Sequence, residues 1–136
     1  MNSTILAAGA VVWRKSEKKK IEVVIIHRPK YDDWTFPKGK TEIGEPLISC
    51  AYREVLEETN IESAFGPYLG EVEYSTTDGK KKVSFWSAKA IKEKEFNPNS
   101  EVDQIKWVEV TKVKDLLTLD TDKKILEKFI KIELDT

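Results

Sequence analysis

The chain lacks the features that mark secreted, membrane-spanning or nucleic-acid-binding proteins. It has one cysteine, Cys50, among 136 residues, so no intrachain disulfide can form and nothing points to an oxidising compartment. No apolar run approaches the roughly 20 residues of a membrane span, and no segment resembles a secretory signal. The net charge of −1 gives no field suited to duplex nucleic acid. We therefore expect a cytoplasmic protein whose partner is a small charged molecule, not a duplex or a membrane.

Hydrophobic patterns predict a single α/β domain over residues 1–136. Strands are expected at 5–14, 21–27, 68–76, 81–91 and 104–110, and helices from Pro46 to Asn60, near 111–118 and at 121–133. Strands with helices before and after them imply a mixed central sheet in an α/β/α sandwich. The loop 28–45 is long for a compact domain, and such loops usually carry function.

The most informative segment runs from Gly39 to Ile61. Within it Glu54, Glu57 and Glu58 are spaced i, i+3 and i+4, which places three carboxylates along one side of a helix. Like charges at that spacing destabilise an isolated helix by about 0.2–0.5 kcal/mol per pair. Arg53 alone cannot neutralise three carboxylates, whereas a divalent cation with oxygen ligands can. The segment therefore predicts a metal site for phosphate chemistry.

A helical wheel places the apolar residues of this helix on one buried arc, formed by Leu47, Ile48, Ala51, Tyr52, Val55 and Leu56. Glu58 borders the arc, and a carboxylate at the edge of a core is costly unless it is paired. We therefore expect Glu58 to have a partner. Cys50 is expected to be a small core or boundary residue, not a nucleophile.

The same segment resembles the Nudix box, G-x5-E-x7-R-E-U-x-E-E-x-G-U, in which U is aliphatic. It departs at one fixed position, where Asn60 replaces a glycine that ends the helix in a left-handed conformation, and Asn is the next best residue there. The resemblance extends to Ala7–Arg14, Arg28–Lys40 and Glu101–Trp107, and it is strongest to MutT-type and diadenosine polyphosphate hydrolase-like domains. It implies a Nudix-like α/β/α sandwich that hydrolyses a pyrophosphate bond with Mg²⁺ or Mn²⁺.

The resemblance also implies roles for single residues. Glu57 and Glu58 are the expected main metal ligands, and Glu54 is a ligand or the general base. The Gly39 carbonyl is a further expected ligand, and a late acidic residue, Glu101 in preference to Asp103, is another. Arg53 and Glu45 are expected to pair behind these carboxylates and orient them.

Several residues outside the helix are candidates for substrate contact. Arg28, Lys38 and Lys40 can reach phosphate oxygens, and Lys38 favours a long phosphate chain because more negative charge needs more positive charge. Trp34 either stacks on a base or packs its loop against the sheet. His27 is expected to be structural. Tyr74, Lys81 and Lys82 flank the predicted hairpin. They either reach substrate or form an exposed strand edge, and the exposed edge is favoured.

The substrate itself stays open between diadenosine polyphosphates and (8-oxo-)guanine nucleoside triphosphates. ADP-ribose or capped RNA is a weaker alternative. A catalytically silent Nudix-fold binding module is the rival of a different class, and the presence of all the box glutamates disfavours it. The sequence does not set the oligomeric state, and a homodimer is compatible with it.

Overall fold

A seven-stranded sheet forms the centre of the computed structural model, which describes residues 4–134. Its strands are β1 (Ile5–Lys15), β2 (Ile21–Arg28), β3 (Asp33–Thr35), β4 (Lys38–Lys40), β5 (Ile61–Thr76), β6 (Gly79–Glu93) and β7 (Gln104–Glu109). Two helices accompany them, α1 (Leu47–Thr59) and α2 (Asp120–Glu133). The main strand order is β3–β2–β1–β6–β5, with β4 paired to β1 and β7 paired to β2.

The sheet is mixed because one of its pairings is parallel. β1 runs parallel to β6, whereas the other strand pairs are antiparallel. β1 is central and alternates between two buried faces. Ala7 and Val11 face a core cluster with Ile125 and Phe129 of α2, while Ala10 and Val12 share a cluster with Val55 of α1. The predicted α/β/α sandwich is therefore confirmed.

The strand predictions hold with shifted bounds, and one helix prediction is wrong. β5 and β6 extend beyond the predicted 68–76 and 81–91, and β5 begins directly after α1. Residues 111–118 do not form a helix; the segment has a single 3₁₀ turn at Val113–Asp115. An eight-residue segment is too short for a stable isolated helix. Its end is fixed instead by Thr118, which exchanges hydrogen bonds with the Trp34 backbone.

The buried face of α1 differs from the predicted arc. Ile48 and Tyr52 are 46% and 44% exposed, so their assignment to the core was wrong. The buried residues of the helix are Cys50, Ala51, Val55, Glu58 and Thr59. The face is rotated because the sheet side of α1 accommodates the Glu58 carboxylate, which finds a backbone partner there. Cys50 is buried, as expected.

Both ends of α1 follow local rules of chain geometry. The helix begins at Leu47, one residue later than expected, and Pro46 precedes it in an extended conformation. Asn60 ends it with φ 58° and ψ 30°, the left-handed conformation expected at this position. No helix within residues 4–134 is both long enough and apolar enough to cross a bilayer.

Candidate active site

A cleft opens where β4 and α1 meet, beside the loops that precede β3 and β7. β4 pairs with β1 so that Gly39 lies opposite Ala8 and Lys38 opposite Gly9. The cleft has a volume of about 390 Å³, within the range of small-molecule sites. Its lining residues are Arg28, Lys30, Tyr31, Lys38, Gly39, Lys40, Glu54, Glu58, Lys81, Ser100 and Glu101. Acidic side chains from α1 thus face basic side chains from the strands and loops.

Glu54 lies directly against the backbone of Gly39. A Cβ atom at position 39 would be 1.7 Å from Glu54 Oε2 and 2.1 Å from Glu54 Cδ, where real Cβ atoms essentially never come under 3.0 Å. Glycine at position 39 is therefore required if the Glu54 carboxylate is to occupy this place. The contact explains why a glycine fifteen residues before a glutamate belongs to the same site.

Glu58 has the partner that the sequence predicted. Its Oε1 accepts the Lys38 backbone N–H at 2.8 Å, and the residue is only 9% exposed. Burial raises the pKa of Glu58 to about 8, against the opposing effect of this hydrogen bond. Burial also raises the pKa of Glu54, as does the nearby charge of Glu57. Glu58 therefore needs additional positive charge to stay ionised at neutral pH, and positive charge nearby also favours the ionised form of Glu54.

Arg53 contacts several carboxylates behind the cleft. Its Nε and Nη2 donate to the two oxygens of Glu45 at 2.7 and 2.8 Å, and Nη1 donates to Glu54 at 2.6 Å. The guanidinium holds the pKa of Glu45 down to about 2. Arg53 Nη2 also donates to the Lys40 carbonyl at 3.1 Å. The guanidinium thus fixes Glu54 relative to β4, in a geometry that suits the predicted orienting role.

Glu57 is placed differently from the other two glutamates. Its side chain is 56% exposed, it accepts from Arg53 Nη1, and it lines a neighbouring groove with Leu56 and Asn60. Within residues 4–134, no three acidic, histidine or cysteine side chains converge closely enough to form a ready metal cage. A ligand role for Glu57 stays a prediction, and it requires this side chain to leave Arg53.

The oxygen atoms available as metal ligands in the cleft nevertheless suit a hard divalent cation. Mg²⁺ is usually held by one or two carboxylates, with waters and substrate phosphates completing its shell. Glu54 and Glu58 supply two such carboxylates, and both have pKa values raised by burial. The Gly39 carbonyl, the third predicted donor, faces Cys50 Sγ at 3.4 Å. Burial raises the pKa of that thiol to about 11, so Cys50 is not a competing thiolate.

Basic side chains reach the cleft from different strands and loops. Arg28 and Lys40 line it, as predicted for phosphate contact. Lys81 lines it too, so the expectation of an exposed edge was wrong for this residue. Burial lowers the pKa of Lys81 to about 8, and the charge of Lys38 adds to this effect. The sequence shows three consecutive lysines, Lys80 to Lys82, but it does not predict the strand register that directs the Lys81 side chain into the cleft.

A second, larger cleft continues from the first. It has a volume of about 600 Å³, and it shares Arg28, Tyr31, Lys40 and Lys81 with the first cleft. Tyr74 and the turn between β5 and β6 form its far side. The two clefts therefore form one trough. Arg28, Lys40 and Lys81 are shared by both clefts, and among the described residues the rest of the second cleft adds no further basic side chain.

Lys38 takes a position that the sequence did not predict. Its side chain is 3% exposed, and its Nζ lies 3.8 Å from Oδ1 of Asp122, which is equally buried. Burial lowers the pKa of Lys38 and raises that of Asp122, while each charge opposes the shift of the other. Asp122 had no signal in the sequence beyond its place in the first turn of α2. Phosphate contact by Lys38 stays a prediction.

The remaining candidates lie on opposite sides of β2. Trp34 is half-buried, packs against the core, and its ring lies 5.1 Å from that of His27. Trp34 does not line either cleft, which favours its packing role. Glu101 lines the first cleft, whereas the neighbouring Asp103 points its carboxylate at His27. The geometry thus favours Glu101 as the late acidic residue.

Comparison with known proteins finds a matching family model, related sequences and a similar solved structure. Residues 4–129 match the family model described as NUDIX domain. An 8-oxo-(d)GTP phosphatase of Mycolicibacterium smegmatis is 41% identical over 98% of this chain, which spans 44% of that relative's length. An asymmetrical bis(5'-nucleosyl)-tetraphosphatase of Caenorhabditis elegans is 32% identical over 78% of this chain and 80% of its own length. A solved binary complex of C. elegans Ap4A hydrolase superposes with a TM-score of 0.87 at 26% identity, covering 97% of this chain and 99% of that one.

Proposed function

The chain belongs to the NUDIX domain family, and we propose that it is a single hydrolase domain that cleaves a pyrophosphate bond in nucleoside polyphosphates with Mg²⁺ or Mn²⁺. The observation that carries the proposal is the pair of inward-facing carboxylates, Glu54 and Glu58, held against β4 in a cleft that basic residues also line. A cleft with acidic groups on one side and cations on the other suits a metal ion together with a polyphosphate.

The protein residues divide the work between holding the carboxylates and holding the substrate. When bound, the cation supplies Lewis acidity to the phosphoryl oxygens and lowers the pKa of the attacking water. Glu58 would hold the cation, together with Glu57, the Gly39 carbonyl and Glu101. Glu54 would be either a further ligand or the general base that takes a proton from the water, and the direction of its pKa shift, raised by burial, suits the second role.

Arg53 acts through the carboxylates that it contacts. Its bonds to Glu45 and Glu54 fix the Glu54 carboxylate before substrate arrives, and such supporting contacts improve metal affinity and activity. Arg28, Lys40 and Lys81 bind the phosphate chain. Arg28 does so through Nη1, since its Nε and Nη2 donate to the Asp33 carboxylate at 2.8 and 2.6 Å, and the lysines act as point charges.

Two substrate classes follow from the trough and the relatives. The basic residues that the two clefts share, together with the space of the second cleft beyond them, support a phosphate chain with a group attached at each end, as in diadenosine polyphosphates. The C. elegans tetraphosphatase supports the same class. The identity to the 8-oxo-(d)GTP phosphatase over nearly the whole chain supports oxidised guanine triphosphates as the second candidate.

A substrate panel with product identification separates these candidates. The panel contains diadenosine tetra- to hexaphosphate, 8-oxo-dGTP, dGTP, ADP-ribose and capped RNA, each with Mg²⁺ or Mn²⁺. We expect turnover of the first two classes and little of the last two. Binding without turnover of any member would instead identify a silent binding module.

Variants of the box glutamates test the roles of single side chains. Glu57→Gln is expected to lower turnover by more than about tenfold, since loss of a metal ligand costs several kcal/mol of barrier and each 1.36 kcal/mol is tenfold. Glu17→Gln, in the exposed β1–β2 turn, is the control for loss of one surface charge. Activity of Glu57→Gln close to that of the control would remove Glu57 from the ligand set.

A further inference from the structure

His27 lies at the end of β2 and contacts a carboxylate with each ring nitrogen. Nδ1 lies 2.6 Å from Asp103 Oδ1, and Nε2 lies 2.8 Å from Asp32 Oδ1. The His27 side chain is 13% exposed. A neutral imidazole donates from one nitrogen only, whereas an imidazolium donates from both. The two contacts together therefore fit a charged ring between two carboxylates, and both raise the pKa of His27, Asp103 more than Asp32.

The two contacts belong to different walls of the cleft. Asp32 lies in the turn between β2 and β3, which also contains the lining residues Lys30 and Tyr31. Asp103 directly precedes β7 and ends the segment that contains Ser100 and Glu101, which line the opposite wall. His27 is thus a side chain through which both walls are connected.

The Glu101 segment is built so that a contact at Asp103 fixes the position of Glu101. Asn99 Oδ1 accepts the backbone N–H groups of Glu101 and Val102, each at 2.9 Å. Val102 is buried, and the Asp103 backbone N–H donates to the His27 carbonyl at 3.2 Å. The turn around Glu101 is therefore compact, and the Asp103 carboxylate ties its end to His27.

We propose that His27 is a positioning residue that holds Glu101 on one wall of the cleft and the Tyr31 turn on the other by binding Asp103 and Asp32 at the same time. The proposal rests on the proposed function for the consequences in catalysis, whereas the bridge itself does not depend on that function. A ring that only packs against Trp34 would require neither carboxylate.

Two amide substitutions separate the two contacts. The Asn side-chain nitrogen takes the place of Nδ1, so His27→Asn retains the bond to Asp103 and loses the bond to Asp32. The Gln nitrogen takes the place of Nε2, so His27→Gln retains Asp32 and loses Asp103. Amide hydrogen exchange of the metal-free protein, measured over 30–33 and 99–103, then reports each wall without any reference to activity.

We expect exchange to become about tenfold faster over 99–103 in His27→Gln, as for the loss of one charge-assisted hydrogen bond. Over 30–33 in His27→Asn the expected increase is about two- to fivefold, because the Asp32 side chain is 93% exposed and water screens its pairing. In the substrate assay, His27→Gln is expected to lower kcat through Glu101, whereas His27→Asn is expected to raise KM through the Tyr31 turn. If wild-type protein hydrolyses no member of the panel, the proposed function fails while the exchange result still decides the bridge.

Substitutions of the carboxylates test the bridge without altering β2. Asp32 has φ 48°, so Asp32→Gly removes the contact without backbone strain and should reproduce the exchange pattern of His27→Asn. Lys19→Gly, at φ 60° in another exposed turn, controls for the glycine itself. Asp103→Ala should reproduce the pattern of His27→Gln. The proposal would be overturned if all four bridge variants accelerated exchange in the same segment. It would also be overturned if none of them accelerated exchange in either segment.

Discussion

Replacing Gly39 by alanine tests whether the Glu54 carboxylate must lie against the β4 backbone. The new Cβ would lie 1.7 Å from Glu54 Oε2, so the carboxylate has to retreat to at least 3.0 Å. A displacement of about 1 Å at a reacting centre costs on the order of 100-fold in rate. We therefore expect kcat of Gly39→Ala to fall about 100-fold.

The stability of Gly39→Ala should change little. The three atoms nearest the new Cβ all belong to the Glu54 side chain, which can rotate toward solvent. Gly39 has no positive φ, so alanine fits the backbone and reduces the entropy of the unfolded chain, a gain of about 0.4–1 kcal/mol. The free energy of unfolding, measured by thermal denaturation, is therefore expected to stay within about 1 kcal/mol of wild type.

Gly9→Ala is the matched comparison. Its Cβ would lie 2.1 Å from the Pro37 carbonyl oxygen and 2.9 Å from Lys38 Cα, and backbone cannot rotate away. We expect overpacking to destabilise this variant by about 3 kcal/mol. A Gly39→Ala variant that retains near-wild-type kcat, or that unfolds as Gly9→Ala does, would refute the assignment of Gly39 to the placement of Glu54.

Three further predictions concern buried charge and protons. Asp122→Asn leaves the Lys38 ammonium without its counter-charge and should lower the free energy of unfolding in urea by about 3 kcal/mol. Asp120→Asn, on the exposed side of the same helix turn, should change that free energy by no more than about 0.5 kcal/mol. Equal effects of the two substitutions would contradict a buried ion pair. Because the folded state raises the pKa of His27, protonation of this side chain stabilises the fold below the unfolded-state pKa of 6.5. The difference in free energy of unfolding between wild type and His27→Leu should therefore be largest at pH 5.5 and shrink as pH rises to 9. A difference that does not change with pH would contradict the raised pKa. The Glu58 pKa of about 8 predicts that Mg²⁺ binding releases a proton at pH 7 and almost none at pH 9. Calorimetry in buffers of different ionisation heat measures this release, and Glu58→Gln should release fewer protons per bound ion at pH 7 than wild type; an equal release would contradict the assignment to Glu58.

The local parts of the site were predictable from the sequence. The spacing of Glu54 and Glu58 on one helix and the left-handed end at Asn60 depend on residues within one segment, where helix geometry fixes distances. Their structural placement agrees with what the spacing predicts, although Glu57 turns toward Arg53 instead of into the cleft. The Arg53–Glu45 pair was implied by the family resemblance instead, because Glu45 precedes the helix.

The parts that depend on distant residues were not predictable. The sequence predicts that Lys38 is a basic loop residue. Its burial depends on Asp122, which lies on a helix near the other end of the chain. Lys81 faces the cleft because of the register between β1 and β6, and a one-residue slip would reverse its direction. The exposed positions of Ile48 and Tyr52 depend on which side of α1 meets the sheet, which a wheel of mixed apolar residues does not decide.

Titration of the protein with Mn²⁺, followed by the enhancement of water-proton relaxation, tests most directly whether the carboxylates beside Gly39 hold the metal. We expect one saturable site in wild type, strongly weakened in Glu54→Gln and Glu58→Gln and retained in Glu17→Gln. Undiminished Mn²⁺ binding in both cleft variants would contradict it.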